Sequence, residues 1–131
     1  MNKFSNYLLL TLCLFLSACA NHTAGVSVNS QGEVRVDNTS FAREVAVSNV
    51  ISKQAADLIQ ASAQLTSLVA SDLRIQYKFT WFDANGLTVE DEATSWKSVK
   101  LHGKQQLQVA AVAPNATAVR FEVYVRKAFS N

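Results

Sequence analysis

The sequence predicts a small all-β domain, and three observations carry that prediction. Within residues 73–83, apolar and polar side chains alternate from Leu73 to Trp81, and residues 119–126 repeat the pattern. A period of two is typical of strands with one buried face and one solvated face. Turn-forming residues follow the first stretch at 83–86 (Asp-Ala-Asn-Gly), where Asn and Gly tolerate the left-handed backbone of a hairpin turn.

The amino terminus has the organisation of a bacterial lipoprotein signal peptide. A polar start precedes the apolar run of residues 7–16, and the small residues Ser17 and Ala18 precede Cys19. The run is half the roughly 20 residues that a membrane-spanning helix requires, and it fits a secretory signal. We predict cleavage before Cys19 and lipidation of its thiol, which anchors the chain through buried methylene groups at about 0.8 kcal/mol each. The alternative is a plain secretory signal in which Cys19 is incidental.

Residues 19–32 are predicted to form the lipidated amino terminus and a flexible tether, because the stretch is polar, rich in small residues and aperiodic. Residues 33–131 then form the β domain. Ala20 follows the cysteine. In lipoproteins with this kind of leader, Asp at that position implies retention at the inner membrane, whereas Ala implies transport onward. The predicted location is therefore the periplasmic face of the outer membrane.

Composition excludes several classes of protein. Removing residues 1–18 leaves 11 basic and 10 acidic residues, since only Lys3 is lost among the charged side chains. A near-neutral balance argues against nucleic acid as a partner. Cys13 leaves with the signal and Cys19 becomes the anchor, so the mature domain has no internal disulfide and depends on core packing.

Four shorter stretches complete the predicted strands, namely residues 33–37, 44–51, 96–101 and 107–112. Gly103 marks the turn between the last two, and Pro114 with Asn115 breaks the chain before the final strand. The side chains predicted to face the core are Leu73, Ile75, Tyr77, Phe79, Trp81, Trp96, Val119, Phe121, Val123 and Val125.

Residues 54–69 are ambiguous. Leu58, Leu65 and Val69 fit one face of a helix, and the Ala, Gln and Leu content favours helix. The strand interpretation also works, since Ile59 and Ala61 alternate with polar neighbours. Propensity alone leans towards helix and leaves both alternatives open.

Several motifs together resemble the YcfL family of small periplasmic lipoproteins. They are the aromatic strand of residues 77–87 (YKFTWFDANGL), then Trp96, residues 101–103 (LHG), residues 113–114 (AP) and Phe121. The resemblance covers residues 41–127 and the leader.

This resemblance implies a β-sandwich in which residues 58–68 form a strand that pairs with residues 73–83 as a hairpin. The resulting fold prediction is an all-β, antiparallel, Ig-like β-sandwich. The family's biochemical role is largely unassigned. In enterobacteria its gene commonly neighbours that of a lipoprotein that activates a penicillin-binding protein, which implies a connection to envelope assembly.

The sequence holds no group of residues typical of catalysis. His22 and His102 lack a second His or a Cys at metal-ligand spacing, and we expect both to be solvated. Residues 90–92 form an acidic run that we interpret as a charged, solvated loop, because no carboxylate stands at calcium-loop spacing. Neither a Gly-x-Ser-x-Gly motif nor a glycine-rich phosphate loop is present. We therefore predict no enzymatic activity, no cofactor and no metal ion.

The outward faces of the two clear strands carry positive charge. The candidate interaction face consists of Arg74, Lys78, Arg120, Tyr124 and Arg126. Such a face suits anionic envelope polymers or an acidic protein partner. The alternative is a solvated sheet face whose charges deter aggregation.

The predicted function is that of a non-enzymatic outer-membrane lipoprotein that binds or scaffolds envelope components, with those that build peptidoglycan as the candidates. The alternative is a small-ligand or glycan-binding module, which requires a concave aromatic pocket lined by Trp96 and Phe82. A hydrolase is disfavoured by the missing catalytic residues.

Overall fold

Eight β-strands, one short α-helix and one 3₁₀ turn run through residues 24–128, the part of the chain that this computed structural model describes. The strands are β1 (Gly25–Asn29), β2 (Val34–Val36), β3 (Val45–Ala55), β4 (Leu58–Ser67), β5 (Leu73–Phe82), β6 (Lys97–Leu101), β7 (Gln106–Val112) and β8 (Arg120–Lys127). The helix α1 spans Thr39–Ala42, and the 3₁₀ turn spans Asp91–Ala93.

The strands form two antiparallel sheets that pack face to face. One sheet has five strands in the order β2-β1-β8-β5-β6, and the other has three in the order β3-β4-β7. Helix α1 carries the chain from β2 in the first sheet to β3 in the second, and its Phe41 side chain is buried in the core. The predicted all-β antiparallel sandwich is confirmed.

The pairing of β5 with β8 builds the centre of the core. Trp81 lies opposite Phe121, and Phe79 lies opposite Val123. The Trp81 and Phe121 ring centroids are 5.5 Å apart, within the range at which aromatic rings attract each other. Trp81 is 2% exposed, so its predicted core position is confirmed, whereas Tyr77 is only half-buried.

Strand β4 covers these rings with small side chains. Ala61, Ala63 and Leu65 are fully buried and alternate with polar residues. Of the two alternatives for residues 54–69, the strand is the one observed, and residues 56–57 form the turn that joins it to β3. Because β4 pairs on both sides, with β3 and β7, its backbone hydrogen bonds are satisfied within the sheet.

The predicted hairpin between residues 58–68 and 73–83 is wrong. Strands β4 and β5 belong to different sheets, and the turn between them crosses from one layer to the other. A side-chain period of two identifies the buried face of a strand but does not identify its hydrogen-bonded partner.

The predicted tether of residues 19–32 is also corrected, since β1 occupies residues 25–29 and pairs with β8 and β2. Val26 and Val28 are buried, so the folded domain begins eight residues earlier than residue 33. Gly25 is required at the entry to this strand, because a Cβ there would lie 1.9 Å from the Val125 carbonyl oxygen.

Strand β8 starts one residue later than predicted. Val119 is 53% exposed rather than buried, because it precedes the strand, and its amide donates to the Phe82 carbonyl oxygen. The turn after β5 forms as predicted. Asp83 Oδ1 accepts hydrogen bonds from the amides of Asn85 and Leu87, and Gly86 has φ +83°.

The signal peptide of residues 1–18, Cys19 and His22 lie outside the described residues. Within residues 24–128, none of the helices has the length and apolarity that a membrane span requires.

Replacing Trp81 with Ala should lower the free energy of unfolding by about 3–5 kcal/mol, since a large buried ring leaves a cavity among its aromatic neighbours. Urea unfolding followed by far-ultraviolet circular dichroism measures this loss. Leu87→Ala is the control, because Leu87 is 65% exposed and its truncation should change stability by less than about 0.5 kcal/mol. Equal stability of Trp81→Ala and wild type would contradict the core assignment.

Candidate functional site

The strand register places the five predicted interaction residues on one surface, the side of the five-stranded sheet that faces away from the three-stranded sheet, which we call the outer face. Lys78 lies directly opposite Tyr124, and Gln76 lies opposite Arg126. Arg120 and Arg74 lie towards opposite ends of this surface. Directly opposed residues in an antiparallel pair share a face, so the predicted grouping agrees with the register.

A segment between β5 and β6 crosses the middle of the outer face. The Asp91 carboxylate lies 3.0 Å from Lys78 Nζ, and Thr80 Oγ1 donates to the same carboxylate at 3.3 Å. The Lys78 side chain is only 14% exposed. The cation at the centre of the outer face is therefore neutralised within the chain and withdrawn from solvent.

The same segment supplies Trp96, which lies under Arg126. The Arg126 guanidinium carbon is 3.8 Å from the Trp96 ring centroid, and Arg126 Nε donates to Gln76 Oε1 at 3.0 Å. A guanidinium stacked on an indole ring is held by cation–π attraction. The prediction that Trp96 belongs to the core is wrong, because the ring packs on the outer face and stays half-exposed.

Tyr124 belongs to a group of polar side chains beside the Lys78–Asp91 ion pair. Its hydroxyl donates to Glu122 Oε2 at 2.5 Å. Burial raises the pKa of Tyr124 well above the usual value for tyrosine, and the hydrogen bond and negative charge of Glu122 raise it further. Ser27, directly opposite Tyr124, is buried, and its hydroxyl has no hydrogen-bond partner among the described residues.

A cavity of about 320 Å³ opens at one end of the outer face. Its lining residues come from the β1–β2 turn, the end of β5 and the start of β8, and include Gln31, Phe82, Gly86, Arg120 and Glu122. The Arg120 guanidinium carbon lies 5.7 Å from the Phe82 ring centroid. A Cβ at Gly86 would lie 3.0 Å from Arg120 Nη2, so glycine keeps this side of the cavity open.

This cavity combines the elements of a polar recognition site. An exposed guanidinium presents several N–H donors in a fixed geometry suited to carboxylate or phosphate groups. The Phe82 ring adds a flat apolar surface. Phe82 lines this cavity, whereas Trp96, the other aromatic residue of the predicted ligand pocket, is not among its lining residues.

His102 lies away from the outer face, in the β6–β7 turn, and is exposed as predicted. Its Nδ1 is 3.2 Å from Asp72 Oδ1, and Lys100 Nζ is 3.3 Å from the other carboxylate oxygen. The hydrogen bond from His102 and then that from Lys100 lower the pKa of Asp72. Within residues 24–128, no three His, Cys, Asp or Glu side chains are grouped so that they would hold a metal ion.

Sequence reasoning missed the role of Asp91. The acidic run of residues 90–92 is not simply solvated, because Asp91 pairs with Lys78. The signal that pointed to this pair was the position of an acidic run just after a strand that carries a lysine on its polar face. The role of Trp96 as the partner of Arg126 had no comparable signal, since the two residues are distant in sequence.

Comparison with known proteins gives a family and a fold. Residues 32–127 match the family described as "Protein of unknown function (DUF1425)". The crystal structure of a DUF1425 family member from Shewanella sp. pv-4 is 58% identical, with a TM-score of 0.62, and the alignment covers 82% of this chain and 99% of that chain. The crystal structure of Campylobacter jejuni cj0090 is 15% identical, with a TM-score of 0.54 over 63% of this chain and 85% of that chain, and shows similarity of fold alone. No curated protein matches the chain.

The raised pKa of Tyr124 predicts a loss of stability in alkali. The unfolded chain releases the phenolic proton near pH 10, before the folded chain does, so this contribution is complete below about pH 10 and falls as pH rises above it. Tyr124→Phe removes the ionisable group and should flatten the fall in unfolding free energy between about pH 9 and pH 12. Urea unfolding at a series of pH values checks this, and an unchanged slope would contradict it.

Proposed function

We propose that this chain, which belongs to the DUF1425 family of proteins of unknown function, is a non-enzymatic outer-membrane lipoprotein that faces the periplasm. Cys19 carries the lipid. The sandwich domain binds or scaffolds components of the cell envelope. The lipoprotein leader supports the anchor, and the resemblance to the YcfL family supports a connection with peptidoglycan synthesis.

The observation that carries the binding role is the exposed Arg120 guanidinium beside Phe82 at the 320 Å³ cavity. The other central residues of the candidate face are already engaged. Lys78 pairs with Asp91, Arg126 stacks on Trp96, and Tyr124 bonds to Glu122. A partner with carboxylate or phosphate groups is therefore recognised at the Arg120 end of the outer face.

Arg120 is suited to a partner for a second reason. Its side chain is exposed and forms no ion pair among those described, so binding requires no internal charge pair to break. Removing either member of a half-buried pair such as Lys78–Asp91 would instead leave an uncompensated charge.

The membrane anchor is tested by changing Cys19 to Ser in the full chain expressed in bacteria. Loss of the thiol should abolish incorporation of radiolabelled palmitate and release the protein from the membrane fraction. Cys13→Ser is the matched control, since Cys13 lies within the apolar run and leaves with the signal. Membrane retention of Cys19→Ser, or absence of label in the wild type, would overturn the lipoprotein assignment.

The binding role is tested by in-cell photocrosslinking from the cavity. A photoreactive residue at the exposed position 31, on the rim, should capture a defined envelope partner, identified by mass spectrometry. Arg120→Gln in the same background should reduce that adduct by about ten-fold, the effect of losing roughly 1.4 kcal/mol from a charge-assisted contact.

The crosslinking control carries the photoreactive residue at Ile51, which is 62% exposed on the other sheet. Adducts that form from both positions come from abundant lipoproteins nearby and not from a specific partner. If position 31 yields only those shared adducts, or if Arg120→Gln leaves the specific adduct unchanged, the cavity is not the binding site.

A second candidate function is recognition of a small ligand or glycan. The volume of the cavity and the Phe82 ring favour it, because such sites bury a flat ligand face against an aromatic side chain and fix it with a few polar groups. Calorimetric titration with soluble peptidoglycan fragments distinguishes the two candidates. Binding heat that is measured with the wild type and lost in Arg120→Gln identifies a glycan ligand. A crosslinked protein adduct, with no binding heat from the glycan fragments, identifies a protein partner.

A further inference from the structure

The position of β1 determines which end of the sandwich lies nearest the lipid. Strand β1 begins at Gly25, six residues after Cys19. Even a fully extended chain of six residues spans at most about 20 Å. If Cys19 is acylated, as in the proposed function on which this inference rests, the end of the sandwich at Gly25 stays within that distance of the bilayer surface.

Several other chain segments meet at this end, which we call the anchor end. Gly25 pairs with Arg126 near the end of β8, and Leu73 at the start of β5 pairs with Leu101 at the end of β6. The turn after β6 lies against the β4–β5 turn, since the Lys104 amide donates to the Val69 carbonyl oxygen. The anchor end is therefore a continuous surface built from both sheets.

Exposed cations are concentrated at the anchor end. They are Arg43, Arg74, Lys100, Lys104 and Lys127. The carboxylates described at the same end are Asp37, Glu44 and Asp72, and each is already close to a cation. Positive charge is in excess, and the exposed His102 adds more when it is protonated.

The opposite end of the sandwich has a different charge balance. Glu33 lies in the β1–β2 turn, Asp57 lies at the β3–β4 tip, and Asp83 follows β5. Lys53 and Arg120 are the exposed cations described there. The excess of positive charge is thus found at the end that the tether holds close to the membrane.

We propose that the anchor end docks on anionic phospholipid headgroups, so that the domain stands on the membrane in one orientation. The lipid fixes the anchor end within reach of the headgroups, and the excess cations supply attraction over about one Debye length, roughly 8–10 Å. A bilayer fits this surface better than a soluble anionic polymer does, because six residues of chain keep the bilayer beside it permanently.

The test uses the unacylated domain, residues 20–131, in sedimentation with lipid vesicles. In the Shewanella relative, a chain that aligns over 99% of its own length with 82% of this chain folds as a sandwich of this kind. Phosphatidylcholine vesicles that contain phosphatidylglycerol should bind the domain at low salt, and pure phosphatidylcholine vesicles should not. Binding should disappear at about 1 M salt, where the Debye length is about 3 Å.

The variants compare charge at two places on the molecule. Lys100→Gln and Lys104→Gln combined should weaken binding by about 25-fold, at roughly five-fold for each lysine near the surface. The matched control, Lys53→Gln and Lys97→Gln combined, removes the same charge from exposed positions elsewhere and should bind like the wild type. Circular dichroism checks that both proteins are folded.

Equal loss of binding in both double variants would show a general charge effect and overturn the docking proposal. So would binding of soluble anionic glycans that the anchor-end variant loses, if anionic vesicles are not bound. If the anchor-end variant does not fold, the unaltered domain still tests the proposal, because it must bind anionic vesicles at low salt and must not bind neutral vesicles. Palmitate labelling of the full chain is independent, so labelling without vesicle binding refutes the docking surface alone.

Discussion

The antiparallel register of β5 and β8 is the constraint on which both the core and the outer face depend. Opposing Trp81 with Phe121 sends both rings inward, and the same register opposes Lys78 with Tyr124 on the outside. A slip of one residue would exchange the two faces of the slipped strand, exposing aromatic rings and burying charge. Strand β1 pairs with the other side of β8 and extends the same sheet.

Part of the outer face is covered by the chain itself. The segment that follows β5 places Asp91 on Lys78 and Trp96 under Arg126. A half-buried ion pair of this kind adds little net stability, yet removing one member is costly because the other charge remains desolvated. The centre of the face is thereby occupied by the chain itself, whereas Arg120 and Arg74 remain exposed towards its two ends.

The sequence predicts local structure here better than long-range placement. Alternation in residues 73–83 and 119–126 identifies two strands and their buried faces, because side-chain period is a local property. The same alternation predicts the five residues of the candidate interaction face, because it also identifies the side chains on the polar side of each strand. The strands that pair with β4 depend on which of the two sheets β4 joins, and the side-chain period of a strand does not indicate its sheet. Strand β1, only five residues long among small polar residues, is specified chiefly by its fit against β8.

The two candidate surfaces lie at opposite ends of one rigid pair of strands, and this separation makes them compatible. Strand β5 runs from Leu73 at the anchor end to Phe82 at the cavity, and its 10 residues span about 30 Å at roughly 3.3 Å per residue. In the proposed orientation, a bilayer at the anchor end would leave Arg120 and Phe82 beyond the headgroups, directed towards the periplasm. The strand that carries the core aromatic residues would then also act as the spacer between the membrane and the candidate cavity. A partner of the proposed kind would meet the cavity at a fixed height and orientation, which would reduce the rotational freedom lost when the two bind.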